Sequence, residues 1–328
     1  MKKILICSLF LFSAFFFKCE SADRWHIGEG EFTFDEYTPL ESKPFLVRYY
    51  IPEEGRIKNM RVLIAVHGAS RGGKTVLDSW KGFARRDGFV VIAPEFSEEL
   101  YPSNDYQFGG VFPDSKAIEM SPAAVWTYNL IEALFDDFLR QTGSKATTYD
   151  LWGHSAGAQF THRLLLAMPQ ARVDRAVVAN AGSWTFPING LIAASGRVYG
   201  WGYSVQNTPF GSRENLEKFF ARNITICLGT ADTLTTADDF PRGEPAMAQG
   251  GTRFERGHNF YTCARETAAE MGVLFNWKIV EVEGIGHTGK GMVFGKYTKE
   301  GDEDVYSINN WAPTAGYGLL FGSVDVKK

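Results

Sequence analysis

DLWGHSAGAQF, residues Asp150 to Phe160, is the stretch on which the reading of this chain turns. Tyr149 to Trp152 has the aromatic and aliphatic make-up of a buried strand, and Ala156 to Met168 that of a helix. Between them Gly153, His154, Ser155, Ala156 and Gly157 fit G-x-S-x-G, a sharp strand-to-helix turn that lifts a serine hydroxyl above the carboxyl end of a sheet. The turn presses strand and helix together, so Gly153 and Gly157 stand where side chains would clash. It also aims the amide of Ala156 at the place where an oxyanion would form beside Ser155.

A serine hydroxyl is a weak nucleophile until a histidine takes its proton and a carboxylate holds that histidine. After a turn of this type the partners are expected in the order serine, acid, histidine, each following a later strand. ITICLGTADTL is a strand that ends in Asp232, and WKIVEVEGIGHTGKGM is the last strand, followed by His287 among glycines. Of the other histidines, His26 precedes the core, His162 and His258 fall at or in helices, and His154 is too close to Ser155 in sequence to face it. His67 is expected to hold its own loop by hydrogen bonding. Asp238, Asp239 and Glu244 lie further along the acid's loop as solvated residues, with Asp238 the main rival to Asp232.

VLIAVHGASRGG ends an early strand and is expected to supply the second oxyanion donor, the amide of Ala69, with Ser70 as the alternative. The same segment, GASRGGKT from Gly68 to Thr75, satisfies the bare phosphate-loop pattern G-x-x-x-x-G-K-[ST]. Accepting that reading would make the ordered set of Ser155, Asp232 and His287 a coincidence.

Outward from these motifs the chain alternates. Strand-like runs recur at Phe45–Ile51, Arg61–Val66, Phe89–Ala93, Tyr149–Trp152, Ala176–Ala179, Ile224–Leu228 and Trp277–Val282. Helical patterns fill about Thr75–Arg86, a stretch opening at Ser121 and Pro122, Ala156–Met168 and His258–Met271. Such alternation predicts an α/β fold, a mostly parallel central sheet with helices on both faces. One connection is long, and its aromatic, glycine-rich stretch around 184–222 reads as a lid-like insertion in which Trp184, Trp201 and Tyr203 would bind substrate.

The 328 residues include 45% hydrophobic side chains and carry a net charge of -4, enough apolar material for one large core. The charges are mixed along the chain, which argues against nucleic acid as a partner. Lys2 and Lys3, the apolar run Ile4–Phe17 and the small residues Ser21 and Ala22 form the pattern of a signal peptide over residues 1–22, leaving 23–328 as a single domain. An exported, periplasmic or secreted protein is expected; a lipoprotein anchored through Cys19 is the alternative, and membrane contact follows only from that. Cys227 and Cys263 then remain, too few for a disulfide framework, with one bridge between them left open. No zinc-binding pattern such as H-E-x-x-H is present.

HGAS, GHSAG, GTADT and GIGHTG, in that order on strand ends, resemble the α/β-hydrolase superfamily over nearly all of the mature chain. WGHSAGAQFTHRLLLAMPQARVDRAVVANAGSW is similar to exported bacterial proteins grouped with polyhydroxybutyrate depolymerase and feruloyl esterase-like hydrolases. The resemblance implies a serine esterase with Ser155, Asp232 and His287 at the triad positions, backbone amides at the oxyanion hole, no cofactor and no metal. It does not hand over a substrate; a small-molecule or oligomeric ester is expected, and the oligomeric state is left open. A peptidase, amidase or acyltransferase with the same triad, or an inactive hydrolase fold that binds a partner, are the competing readings.

Overall fold

The computed structural model describes residues 24–53 and 57–322; the expected signal peptide and Cys19 lie outside them. In chain order the strands are β1 (Gly28–Phe34), β2 (Phe45–Ile51), β3 (Val62–Val66), β4 (Val90–Glu95), β5 (Tyr149–His154) and β6 (Val173–Ala179). A short hairpin β7 (Leu191–Ile192) and β8 (Val198–Tyr199) follows, then β9 (Asn223–Gly229), β10 (Lys278–Val282), and a second hairpin, β11 (Thr298–Glu300) and β12 (Glu303–Val305). The helices are α1 (Gly73–Asp87), α2 (Ser103–Tyr106), α3 (Asn129–Thr142), α4 (Ala156–Ala167), α5 (Arg213–Phe220), α6 (Glu244–Met247), α7 (Arg253–Met271), α8 (Gly289–Phe294) and α9 (Gly316–Phe321).

Eight strands form one sheet in the order β1-β2-β4-β3-β5-β6-β9-β10. The pairs from β4 to β10 are parallel and β2 is antiparallel to both its neighbours, so β2 alone runs against the rest. Strands β3 and β4 are apolar on both faces because both faces are covered. On one side Leu77, Trp80 and Phe83 of α1 pack with Met292 of α8 and Leu320 of α9; on the other, α3, α4 and α7 contribute Leu134, Phe138, Phe160, Leu164 and Phe260.

The expected helix after Pro122 starts later. Ala123–Val125 is a single 3-10 turn, Trp126 is extended, and α3 begins at Asn129. The Thr127 amide donates to the Gly109 carbonyl and the Trp126 indole to the Ser121 carbonyl, bonds that draw this stretch away from the helix. Among the described residues Cys227 and Cys263 are free. Cys227 packs on the α1 face of the sheet and Cys263 on the opposite one, so the bridge left open above would have to cross the sheet.

Candidate active site

Ser155 occupies the turn between β5 and α4 with φ 57° and ψ -119°, a left-handed conformation that costs a non-glycine residue energy and is kept only where the surroundings impose it. They do: the Ser155 amide donates to the Ala179 carbonyl of β6, and a Cβ on Gly157 would lie 2.5–2.6 Å from the Val66 and His67 carbonyl oxygens. A Cβ on Gly153 would run into Gly157 itself. The glycines are therefore required by the close crossing of β3, β5 and α4.

The later loops converge on this serine. His287 Nε2 is 2.9 Å from Ser155 Oγ, and His287 Nδ1 is 2.7 Å from Asp232 Oδ2. Ser155 and Asp232 are buried, and the imidazole is 17% exposed, at the floor of an open cavity. The loops carrying the acid and the histidine are fastened together: Thr230 and Ala231 amides donate to the Val282 and Ile285 carbonyls, and the Gly284 amide donates to Thr230 Oγ1. Asn180, at the end of β6, adds a third tie, accepting from the Gly229 amide and donating to the Gly286 carbonyl. Asn180 is fully buried with φ 49°, and no motif marked it out in the sequence.

Ala69 lines the cavity together with Gly68 and Ser70, and Ala156 follows Ser155 at the start of α4. His67 builds the Ala69 loop. Its Nδ1–H donates to the Gly68 carbonyl, its Nε2 accepts from the Phe96 amide, and its ring stacks on Tyr106, whose hydroxyl donates to the His67 carbonyl. Burial pushes its pKa down to about 4, so it is a neutral scaffold group. The phosphate-loop resemblance dissolves here: the Gly73 amide donates to Glu95 Oε2 at 2.9 Å, and Lys74 is engaged by Asp78 and Glu29.

A cavity of about 480 Å³ opens over Ser155. Its walls include Thr75, Val76, Trp80, Trp152, His154, Asp239, Lys290 and Val293. His154 stands 4.8 Å from His287, ring to ring, and desolvation, with the neighbouring His287 and Arg253, holds it well below the ordinary histidine pKa.

Trp184, Trp201 and Tyr203, expected to bind substrate, are elsewhere. Trp184 is fully buried and stacks on Phe260; Trp201 packs on Phe210 and donates to the Phe108 carbonyl; Tyr203 lies beside Phe108 and Tyr199. None of the three lines the cavity, because the insertion is folded into the body of the protein. Arg163, completely buried, does much of that anchoring through Thr185, Gln107, Gln159, Ser183 and Gly202. Asp238 is exposed, Glu244 holds the β7–β8 hairpin by accepting from Ser195 and Tyr199, and Asp239 turns towards the imidazole, 3.6 Å from His287 Nε2.

Among the described residues no group of histidine, cysteine and acidic side chains is arranged to hold a metal.

No family model and no curated protein matches the chain. Two solved structures are similar to it over most of its length. Poly(aspartic acid) hydrolase-1 from Sphingomonas sp. KT-1 is 34% identical, with a TM-score of 0.74 and with 81% of this chain and 96% of that one covered. LpqC, a poly(3-hydroxybutyrate) depolymerase from Bordetella parapertussis, is 28% identical, with a TM-score of 0.73 and coverage of 81% and 86%. With this identity, this coverage and a mostly parallel sheet flanked by helices, the chain belongs to the α/β-hydrolase superfamily.

Proposed function

We propose that this hydrolase cleaves carboxylic esters through an acyl-enzyme on Ser155, and that it does so as an exported protein. The observation that carries the reading is the continuous chain from Ser155 Oγ to His287 Nε2 and from His287 Nδ1 to Asp232, 2.9 Å and 2.7 Å, on a serine held in a strained turn. His287 Nε2 takes the hydroxyl proton as Oγ attacks the ester carbonyl carbon. The carbonyl oxygen becomes an oxyanion held by the Ala156 and Ala69 amides, while Asp232 keeps Nδ1–H in place and stabilises the imidazolium. The carbon–oxygen bond to the alcohol then breaks and His287 returns its proton to the leaving oxygen. A water molecule, deprotonated by the same imidazole, attacks the acyl carbon and frees Ser155 and the acid.

A second reading, amide hydrolysis, is supported by the name of the 34%-identical relative, because poly(aspartic acid) is an amide-linked chain. Both readings predict one first result. Purified mature protein, whose mass reports where the leader is cut, reacts with a fluorophosphonate probe and hydrolyses short-chain and aromatic p-nitrophenyl esters. Ser155→Ala loses the label and at least about 10⁴-fold in kcat. Retained turnover in the variant would sink the nucleophile assignment, and turnover of peptide amides in preference to esters would favour the second reading.

A further inference from the structure

We infer that Asp239 is a specificity-determining carboxylate that selects leaving groups bearing a positive charge, an inference that rests on the Ser155 hydrolase reading. In an acyl transfer at Ser155 the leaving atom takes its proton from His287 Nε2, within about 3 Å of it. Asp239 Oδ2 lies 3.6 Å from that same nitrogen, on the cavity wall, so it flanks the leaving group rather than the acyl group. An ammonium two carbons beyond the ester oxygen comes within reach of it.

The carboxylate is not a loose surface group. Its Oδ1 accepts from Arg253 Nη2 at 2.9 Å, while its side chain remains 48% exposed to the cavity and solvent. Arg253 is 2% exposed and lies over the Phe240 ring, and its Nη1 stands 3.6 Å from Asp232 Oδ1. One guanidinium thus serves two carboxylates. With His287 neutral, Asp232, Asp239 and Arg253 together carry one net negative charge beside the leaving-group position. Arg242, further along the same loop, spends its guanidinium on the carbonyls of Thr235, Ala237 and Phe240. Lys290, which also lines the cavity, is exposed and rests over Tyr306, where solvent screens it.

The test compares three butyrate esters that form the same acyl-enzyme: the choline ester, its neutral 3,3-dimethylbutyl isostere and the ester of 3-hydroxypropanoate. Their kcat/KM ratios report acylation alone. The wild-type protein is expected to prefer the cationic ester over the neutral one by about tenfold and to disfavour the anionic one. Asp239→Asn brings the cationic-to-neutral ratio close to one, and Asp239→Lys inverts it, as loss and reversal of a charge a few ångströms away require. Fluorophosphonate labelling of each protein, measured alongside, shows that Ser155 is intact. Equal ratios in the wild-type protein and Asp239→Asn, with both labelled, overturn the proposal and leave the nucleophile standing, as does labelling without turnover of the choline ester. A wild-type protein that neither labels nor turns over any ester removes the hydrolase reading, and this inference with it.

Discussion

The Asp232 carboxylate is buried and offers Oδ2 to His287. Replacing it by Asn keeps the shape and removes the charge that fixes the imidazole tautomer. Asp232→Asn should therefore lower kcat by about 10⁴-fold in p-nitrophenyl ester assays while leaving the urea midpoint near that of the parent. At this scale the sequence was informative where a residue's position follows from local chain geometry. Ser155 is announced by its flanking glycines, and Asp232 and His287 by the strands that end beside them. Asp239 and Asn180 were not legible in that way. An aspartate in an exposed polar loop looks like any solvated residue until the loop is folded against Arg253, and a buried asparagine acts through bonds to residues 49 and 106 positions away.

Among the elements, the insertion between β6 and β9 departs most from expectation. Aromatic rings among glycines read equally well as the wall of a pocket or as packing, and composition cannot separate the two. The fold decides through Arg163 and Phe260, which draw Trp184, Phe186 and Gly202 inward. Trp184→Ala should then behave as a core truncation, costing about 3–5 kcal/mol in urea unfolding. In the surviving folded fraction KM should stay unchanged, whereas a pocket wall would show the reverse pattern. The seven principal strands were visible because short runs rich in β-branched and aromatic residues mark them. Strand β1 was not, because GEGEFTF is half exposed at the sheet edge and pairs on one side alone.

For the molecule as a whole, acid is the sensitive direction. His67 is buried with a pKa of about 4, against about 6.5 for a free histidine, and His162, also buried, is held well below the ordinary value by desolvation and by Arg163. Below about pH 6.5 the unfolded chain binds protons that the folded one refuses, so stability falls with pH, by up to about 3 kcal/mol for His67 alone once pH 4 is reached. Asp150 opposes this at lower pH: burial, against the pull of Arg61, raises its carboxyl to about 6, and the folded state then holds the extra proton between about pH 4 and 6. The urea midpoint should therefore drop between about pH 7.5 and about pH 6, and a midpoint that stays level there would refute the neutral-histidine account.

The burial of Trp184, Phe186 and Phe210 in the body of the protein also bears on how substrate arrives. Hydrolases that hide their serine beneath a swinging amphipathic cover lie latent until an oil–water boundary peels it back. Here those rings are spent on the interior and the cavity over Ser155 stands open, so the rate on a sparingly soluble ester is expected to show no jump at the concentration where droplets form.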